Sequence, residues 1–488
     1  MQSRLPLFRS AAIVSLGQVV SYGCGFVRNI ILARILTKAD FGVAAAFGTA
    51  LSLLEIAGRM SLGQQLVQSR NPTLDALQST CHGILLIAGF ASAILLLLSA
   101  GPLAHAFDVA HLTWAFAILA IIPVLKGAEH LDYWRATRDL RFIPSALCET
   151  IPQVVITLAA WPLSLLVSDF RLILTLLISK SLLATILTHL LADRRYRVQI
   201  QRAFFAGIIK FSGPLLLNGL LLFASQQGDQ FVVGAVLTLE DLATYAVAFS
   251  LISIPWFITA QVSSSLILPI LARCQEEHSR FRDAYRACVD ASGVAASLIM
   301  APLIVAGGHV IALIYGSRYG DAGAITATLG SACAIRFIRL APAIAALARA
   351  DTLNQLYSNI ARSITIPLAI GASLFSKDLV VIASATVIGE LIATGVSVSR
   401  LMKLHQIRIA EHGRSALLVG LSVSCALLVR YAVSGSPVWE ATGAALILAG
   451  AVGIGVRFIL PDTFRQSQSA TSELLNRVTA RLASRKEP

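Results

Sequence analysis

The sequence predicts an all-α polytopic membrane protein of about 14 transmembrane helices, built as two six-helix bundles plus two extra C-terminal helices. Three observations carry this expectation. The 488 residues are 56% hydrophobic and only 13% charged, with a mean hydropathy of +0.75, whereas soluble domains run near 25% charged. A core cannot hide that much apolar surface, so lipid must be the solvent for most of the chain. The apolar residues also come in runs of about 20, the length that crosses a bilayer. Finally, a marker recurs about 200 positions on: Leu36-Thr37-Lys38-Ala39-Asp40 returns as Leu237-Thr238-Leu239-Glu240-Asp241.

The expected spans, in order, are 10–35, 41–67, 81–100, 112–133, 143–166, 172–191, 208–237 and 242–271. They continue as 289–314, 325–348, 353–374, 379–401, 416–433 and 439–460. Arg4 and Arg9 precede the first run, but no small-residue cleavage site follows and the run passes Arg28, so it reads as a retained span. The two repeat markers have the same orientation, which implies a pseudo-two-fold axis along the membrane normal and a site where the bundles face each other. Expected boundaries are 1–200 for the first bundle, 201–405 for the second, 406–460 for two added helices and 461–488 for a basic tail. Within that tail, Leu474, Leu475, Val478 and Leu482 alternate with Arg477, Arg481 and Arg485 as a weak amphipathic helix or a solvated end.

Charge placement orients the chain. Most of the 39 Lys and Arg fall on one set of alternating loops; only Arg34, Lys38, Arg171, Arg318, Lys377 and Arg430 fall on the other. The positive-inside rule then puts both termini in the cytoplasm. The net charge of +13 is spread over short loops rather than one face of a domain, which argues against nucleic acid as a partner. Seven cysteines without CxxC spacing, and nine dispersed histidines, offer neither a zinc site nor a disulfide framework. With no HExxH and no Gly-rich phosphate loop, no catalytic constellation and no cofactor are expected.

Thr-x-x-Asp before an apolar run is a capping box, so Thr37, Asp40, Thr238 and Asp241 are expected to cap helices. A weaker echo links Arg138-Asp139 to Arg349-Ala350-Asp351. Ionisable groups inside spans are costly and face a cavity or one another. Arg28, Arg59, Lys126, Arg336 and Arg339 form the candidate cationic cleft. Gln18, Tyr22, Asn29, Asn218 and Gln226 form its polar lining, and Asp229 and Glu55 are the carboxylates available for ion coupling. Guanidinium groups suit phosphate or pyrophosphate because the planar fork donates two hydrogen bonds at once. The competing reading is internal ion pairs that fix helix packing, with Lys180, Arg362 and Glu390 as isolated charges.

Leu32–Phe47 (LARILTKADFGVAAAF), followed by Ser61–Arg70 (SLGQQLVQSR), resembles the amino-terminal signature of bacterial polysaccharide-export flippases. Arg135–Glu149 (RATRDLRFIPSALCE) resembles their basic connection after the fourth span. These are a branch of the multidrug/oligosaccharidyl-lipid/polysaccharide exporter superfamily. One departure is Lys38, where a proline is common. The resemblance implies a lipid-linked oligosaccharide on a polyprenyl-pyrophosphate carrier, moved from inner to outer leaflet of the bacterial inner membrane by alternating access. Exopolysaccharide, capsule or O-antigen assembly would follow, with membrane lipids and a polysaccharide polymerase and export machinery as partners. Two alternatives stand beside it: a cation-coupled drug or metabolite antiporter of the same fold, and a membrane glycosyltransferase or polymerase. The outer loops are too short for the catalytic loop the latter needs.

Overall fold

The computed structural model describes residues 5–58, 60–68, 74–201, 204, 219, 221–224, 226–405, 407, 410–433 and 438–459, and every regular element among them is a helix. In chain order these are α1 (Leu5–Ile35), α2 (Lys38–Gly58), α3 (Met60–Gln68), α4 (Leu74–Ala106), α5 (Thr113–Ile118), α6 (Ile121–Gly127), α7 (Asp132–Arg138), α8 (Ile143–Ser164) and α9 (Phe170–Leu190). A helical stretch over 226–236 is α10. Then come α11 (Leu239–Arg273), α12 (His278–Tyr315), α13 (Gly323–Ala348), α14 (Leu353–Arg362), α15 (Thr365–Phe375), α16 (Leu379–His405), α17 (Ala410–Ala432) and α18 (Val438–Ile459).

Nine helical stretches among the described residues are long and apolar enough to cross a membrane. The larger count of 14 expected above is a proposal: it adds α1, α2, α10, the α14–α15 pair and α18. The outward faces suit lipid, with Leu158, Leu165, Leu166, Leu374, Phe375 and Leu428 more than two-thirds exposed.

Two expected spans are broken, and a proline explains each. The stretch 112–133 is not one helix but α5, α6 and part of α7. Pro123 has no N–H for the carbonyl of Leu119, and the chain changes to i−3 bonds there, Ala120 N–H to Ala117 O and Ile122 N–H to Leu119 O. Glu129, His130 and Asp132 consequently lie in the turn after α6 and at the start of α7, not inside a span. The stretch 353–374 divides into α14 and α15 four residues before Pro367 by the same mechanism, with Ile366 N–H bonded to Ser363 O.

Packing divides the chain into two compact units: Met1–Ser250 with Ile311–Ala322 and Ser363–Ala385, and Leu251–Val310 with Gly323–Arg362 and Thr386–Pro488. In the first unit α1 lies along α8, while α4 crosses α6 where Gly89 meets Gly127. A Cβ on Gly89 would sit 2.6 Å from Pro123 O, so only glycine admits this crossing. The α12–α13 connection packs on the α1–α2 turn of the same unit. Lys38 Nζ pairs with Asp321 Oδ2 at 2.8 Å, Arg318 donates to Leu36 O, and Phe41 meets Tyr319 edge-on. In the second unit α17 packs on α12 through Ser415–Asp290 and Ser422–Ser297 hydrogen bonds, beside the Tyr285–His412 contact.

The duplication is visible in the helix ends. Thr37 Oγ1 and Thr238 Oγ1 donate to Asp40 and Asp241 at 2.5 and 2.6 Å, and each aspartate N–H returns to its threonine at 3.1 Å. The capping boxes start α2 and α11 alike. The weaker echo is a second matched end. Leu140 and Ala350 both have φ 60°, and the next N–H (Arg141, Asp351) closes on Ala136 O and Ala346 O. Both are Schellman C-caps, terminating α7 and α13 immediately before α8 and α14.

Candidate functional site

The densest buried charge among the described residues lies in the second unit. On α13, Arg336 and Arg339 are three apart and share a helix face; α14 contributes Arg362 and α16 contributes Glu390. Glu390 is fully buried, and three guanidinium groups converge on it. Arg336 Nε lies 2.6 Å and Arg362 Nε 2.7 Å from Oε1, and Arg339 Nη2 lies 3.0 Å from Oε2. Three positive charges thus surround one negative charge in the buried interior of the unit. Arg336 also lies over the Trp256 ring at 5.1 Å, a cation–π contact that shields one face. Arg339 Nη1 donates to Ser358 Oγ at 3.2 Å, while its buried Nε has no hydrogen-bond partner among the described residues.

Polar side chains brace the helices that carry these charges. Ser358 donates to Ala393 O, and Asn354 and Ser397 exchange hydrogen bonds at 2.9 and 2.7 Å. The braces fix α14 against α16, and so fix Arg362 against Glu390. An arrangement with surplus cationic charge and an unmet donor, held by a preformed frame, is chemically suited to a multivalent anion.

In the first unit, the polar stripe of α1 meets α8. Arg28 Nη1 donates to Gln153 Oε1 at 3.0 Å, and Thr157 Oγ1 and Thr150 Oγ1 reach Cys24 O and Gly17 O. Gly17 and Gly25 give α8 room; a Cβ on Gly17 would already be 3.2 Å from Thr150 Oγ1. Arg28 is therefore partnered by a neutral amide, which leaves its charge uncompensated by that bond. Tyr22 is about half exposed on the same helix pair, and Glu149, one turn before Gln153, is an exposed carboxylate. Asn29 is partly buried beside Arg28, and Gln18 holds a buried Oε1 with no hydrogen-bond partner among the described residues.

The remaining expected site residues are dispersed. Lys126 is half-buried in the last turn of α6. Asp229 on α10 is buried, accepting from Tyr245 Oη at 2.6 Å and from Gln230 N–H at 2.8 Å. Gln226 is partly buried on α10. Arg59 and Asn218 lie outside the described residues, as do the side chain of Glu55 and the tail from 461.

The turn after α6 forms a separate polar knot. Asp132 accepts from Arg194 Nη1 at 2.8 Å and from Asp193 N–H at 2.9 Å. Burial works against its charge, yet the Arg194 guanidinium and the amide hold its carboxyl below the usual range. His130, 1% exposed, is pushed down by burial. Its Nδ1 accepts from Asp132 N–H, and its ring packs against His82, His189 and Tyr196.

A family model described as "Polysaccharide biosynthesis protein" matches residues 31–324. The chain belongs to this family. Among curated proteins, the family member is 23% identical over 311 residues to the succinoglycan biosynthesis transport protein ExoT of Rhizobium meliloti (strain 1021), across 63% of its own length. It spans 62% of the length of that relative. Among solved structures, the lipid II flippase MurJ in an inward closed conformation superposes with a TM-score of 0.74 at 14% identity, over 92% of this chain and all of that one. An inward-facing multidrug resistance MATE transporter of the MOP superfamily matches at 0.61 and 12% identity, over 83% of this chain and 96% of that one. At such identities the likeness is one of fold: this is a multi-pass membrane protein with the helical architecture of those transporters.

Arg336 and Arg339 were legible as a pair because three-residue spacing in an apolar helix is itself unusual. Glu390 and Arg362 read as isolated, and the structure joins both to that pair. Glu149 and Gln153 were not selected at all. The available signal was a carboxylate and an amide four apart inside an apolar run, on the helix in which the resembling motif ends.

Proposed function

We propose that this protein is a flippase that moves a polyprenyl-pyrophosphate-linked oligosaccharide from the inner to the outer leaflet of a bacterial inner membrane. Delivery would serve exopolysaccharide, capsule or O-antigen assembly. The supporting observation is the buried cluster in which Arg336, Arg339 and Arg362 converge on the carboxylate of Glu390. A pyrophosphate offers those guanidinium groups more acceptor oxygens than Glu390 does, so it can draw one or two of them away while Glu390 retains the rest. Arg28, held by a neutral amide on α8, is the corresponding cation of the first unit, with Arg59 and Lys126 completing the proposed cationic set. Gln18, Tyr22, Asn29, Asn218 and Gln226 would meet the sugar, and the prenyl chain would remain in lipid. Alternating access of two six-helix bundles, both termini in the cytoplasm, and hand-over to a polysaccharide polymerase complete the reading. The names of ExoT and MurJ agree with it in substrate class.

The test is translocation in proteoliposomes of fluorescent lipid-linked oligosaccharide. The Arg336→Gln/Arg339→Gln double variant and Arg28→Gln are expected to insert normally and to lose at least tenfold in rate. Wild-type rates in all of them would remove the cationic site from the mechanism.

A second reading, a cation-coupled drug or metabolite antiporter, draws on one observation: Glu149 is an exposed carboxylate within the apolar helix α8. It predicts transport of cationic dyes, sensitive to Glu149→Gln and indifferent to Arg336→Gln.

A further inference from the structure

The second unit carries a groove of about 670 Å³ between α14 and α16, distinct from the arginine cluster. Tyr357 and Ile360 form one wall, Ile392 and Val396 the other, and Arg400 and Lys403 close one end. Along α16 the lining positions 392, 396 and 403 repeat at helical spacing, a face about 16 Å long at 1.5 Å per residue. The opposite faces of the same helices are engaged elsewhere, through Ser358, Arg362, Glu390 and Ser397. The groove opens outward, since Ile360, Tyr357 and Ile392 are each more than a third exposed.

Its closed end is cationic. Arg400 donates to both oxygens of Asp351, at 3.0 and 2.8 Å, and lies over the Tyr357 ring at 5.1 Å. Lys403 is exposed one turn further and forms no ion pair with a described residue. Arg349 stands nearby over Phe281, and His405 Nε2 lies 3.6 Å from Asp351. Two permanent cations, Arg400 and Lys403, thus line the groove's end, and the one carboxylate there, Asp351, is taken by Arg400. At the apolar part, a Cβ on Gly395 would meet nothing within 4 Å, so the trough is open space in front of a bare backbone.

We propose that this groove holds an anionic phospholipid of the surrounding bilayer, one acyl chain lying along Ile360, Ile392 and Val396 and its phosphate at Lys403. A soluble anion has no use for the apolar trough, and a zwitterionic lipid brings no net charge to the cationic end. Each basic side chain at a membrane surface adds about 1 kcal/mol of attraction for anionic lipid, about fivefold in retention. The occupant is independent of the transported substrate, and no transport needs to be measured to find it.

The test uses the full-length protein purified in detergent and equilibrated with phosphatidylglycerol or phosphatidylcholine of matched chains, with bound lipid counted by native mass spectrometry. Wild type is expected to retain phosphatidylglycerol at least fivefold over phosphatidylcholine. Lys403→Glu should lower that retention about tenfold or more, and Lys403→Arg should restore it. Gly395→Leu should fill the trough and lower retention of both lipids, while Gly395→Ala, which adds one methyl, keeps it and controls for folding. Equal retention of the two lipids by wild type, or unchanged retention in Gly395→Leu, would overturn the proposal. So would displacement of phosphatidylglycerol by an equimolar polyprenyl-pyrophosphate oligosaccharide, since the slot would then belong to the transported lipid.

Discussion

At the scale of single residues, Glu390 has the strongest consequences. Desolvating a carboxylate and three guanidinium groups is costly, and the cluster is tolerable only because each charge has a partner. Glu390→Gln takes from Arg336, Arg339 and Arg362 the carboxylate on which all three converge. The expected loss is about 3–5 kcal/mol, the usual penalty for breaking a buried pair, measured as thermal unfolding in detergent. Arg362→Gln should cost less, because Glu390 keeps two partners and the amide can still donate. A larger loss in Arg362→Gln than in Glu390→Gln would show that Glu390 is not the hub. The sequence could show Arg336 and Arg339 as neighbours on one helix but not their shared partner. Glu390 and Arg362 sit on other helices, and no periodicity links residues across a tertiary contact.

At the scale of elements, helix ends were the most legible feature and helix interruptions the least. A Thr-x-x-Asp box carries its own mechanism in four residues, so the starts of α2 and α11 could be placed from local chemistry alone. Hydropathy, by contrast, does not register a missing N–H, which is why 112–133 and 353–374 read as unbroken spans despite Pro123 and Pro367. The matched C-caps yield a test. Leu140 and Ala350 hold left-handed conformations that cost a non-glycine residue roughly 1 kcal/mol. Leu140→Gly and Ala350→Gly are each expected to raise stability by about 0.5–1 kcal/mol; a loss at both would mean that side-chain packing outweighs backbone strain there. The turn between α6 and α7 should also respond to pH. A carboxyl held low, as in Asp132, stabilises the fold above its unfolded pKa of about 3.9 and loses that contribution as pH falls through the lower folded value. His130, held low by burial, adds a loss that begins below its unfolded pKa of about 6.5, because the unfolded chain takes up the proton and the fold does not. Acid unfolding of wild type should therefore start below about pH 6.5 and steepen below about 4, and His130→Gln should shrink the earlier phase. An unchanged pH profile in that variant would show that His130 titrates as it does in the unfolded chain.

At the scale of the whole molecule, composition alone required lipid as the solvent, and a repeated marker implied duplication; neither depends on where any one side chain points. Orientation rests on a different quantity, the bias of Lys and Arg among the loops, which is a property of insertion rather than of packing. It is open to a direct test. Within the first unit, α9 separates the exposed Arg195 end from the end where Glu240 begins α11 beside the α1–α2 turn. The charge bias assigns Arg195 and Arg280 to the cytoplasm and Glu240 to the outside. In a background with the native cysteines replaced, a membrane-impermeant maleimide added to intact cells should label Glu240→Cys and spare Arg195→Cys and Arg280→Cys until the membrane is opened. The reverse pattern would invert the protein in the membrane and, with it, the direction of transport proposed here. Labelling of all three in intact cells would mean that the path through the protein admits the reagent, and the experiment would then report access rather than side.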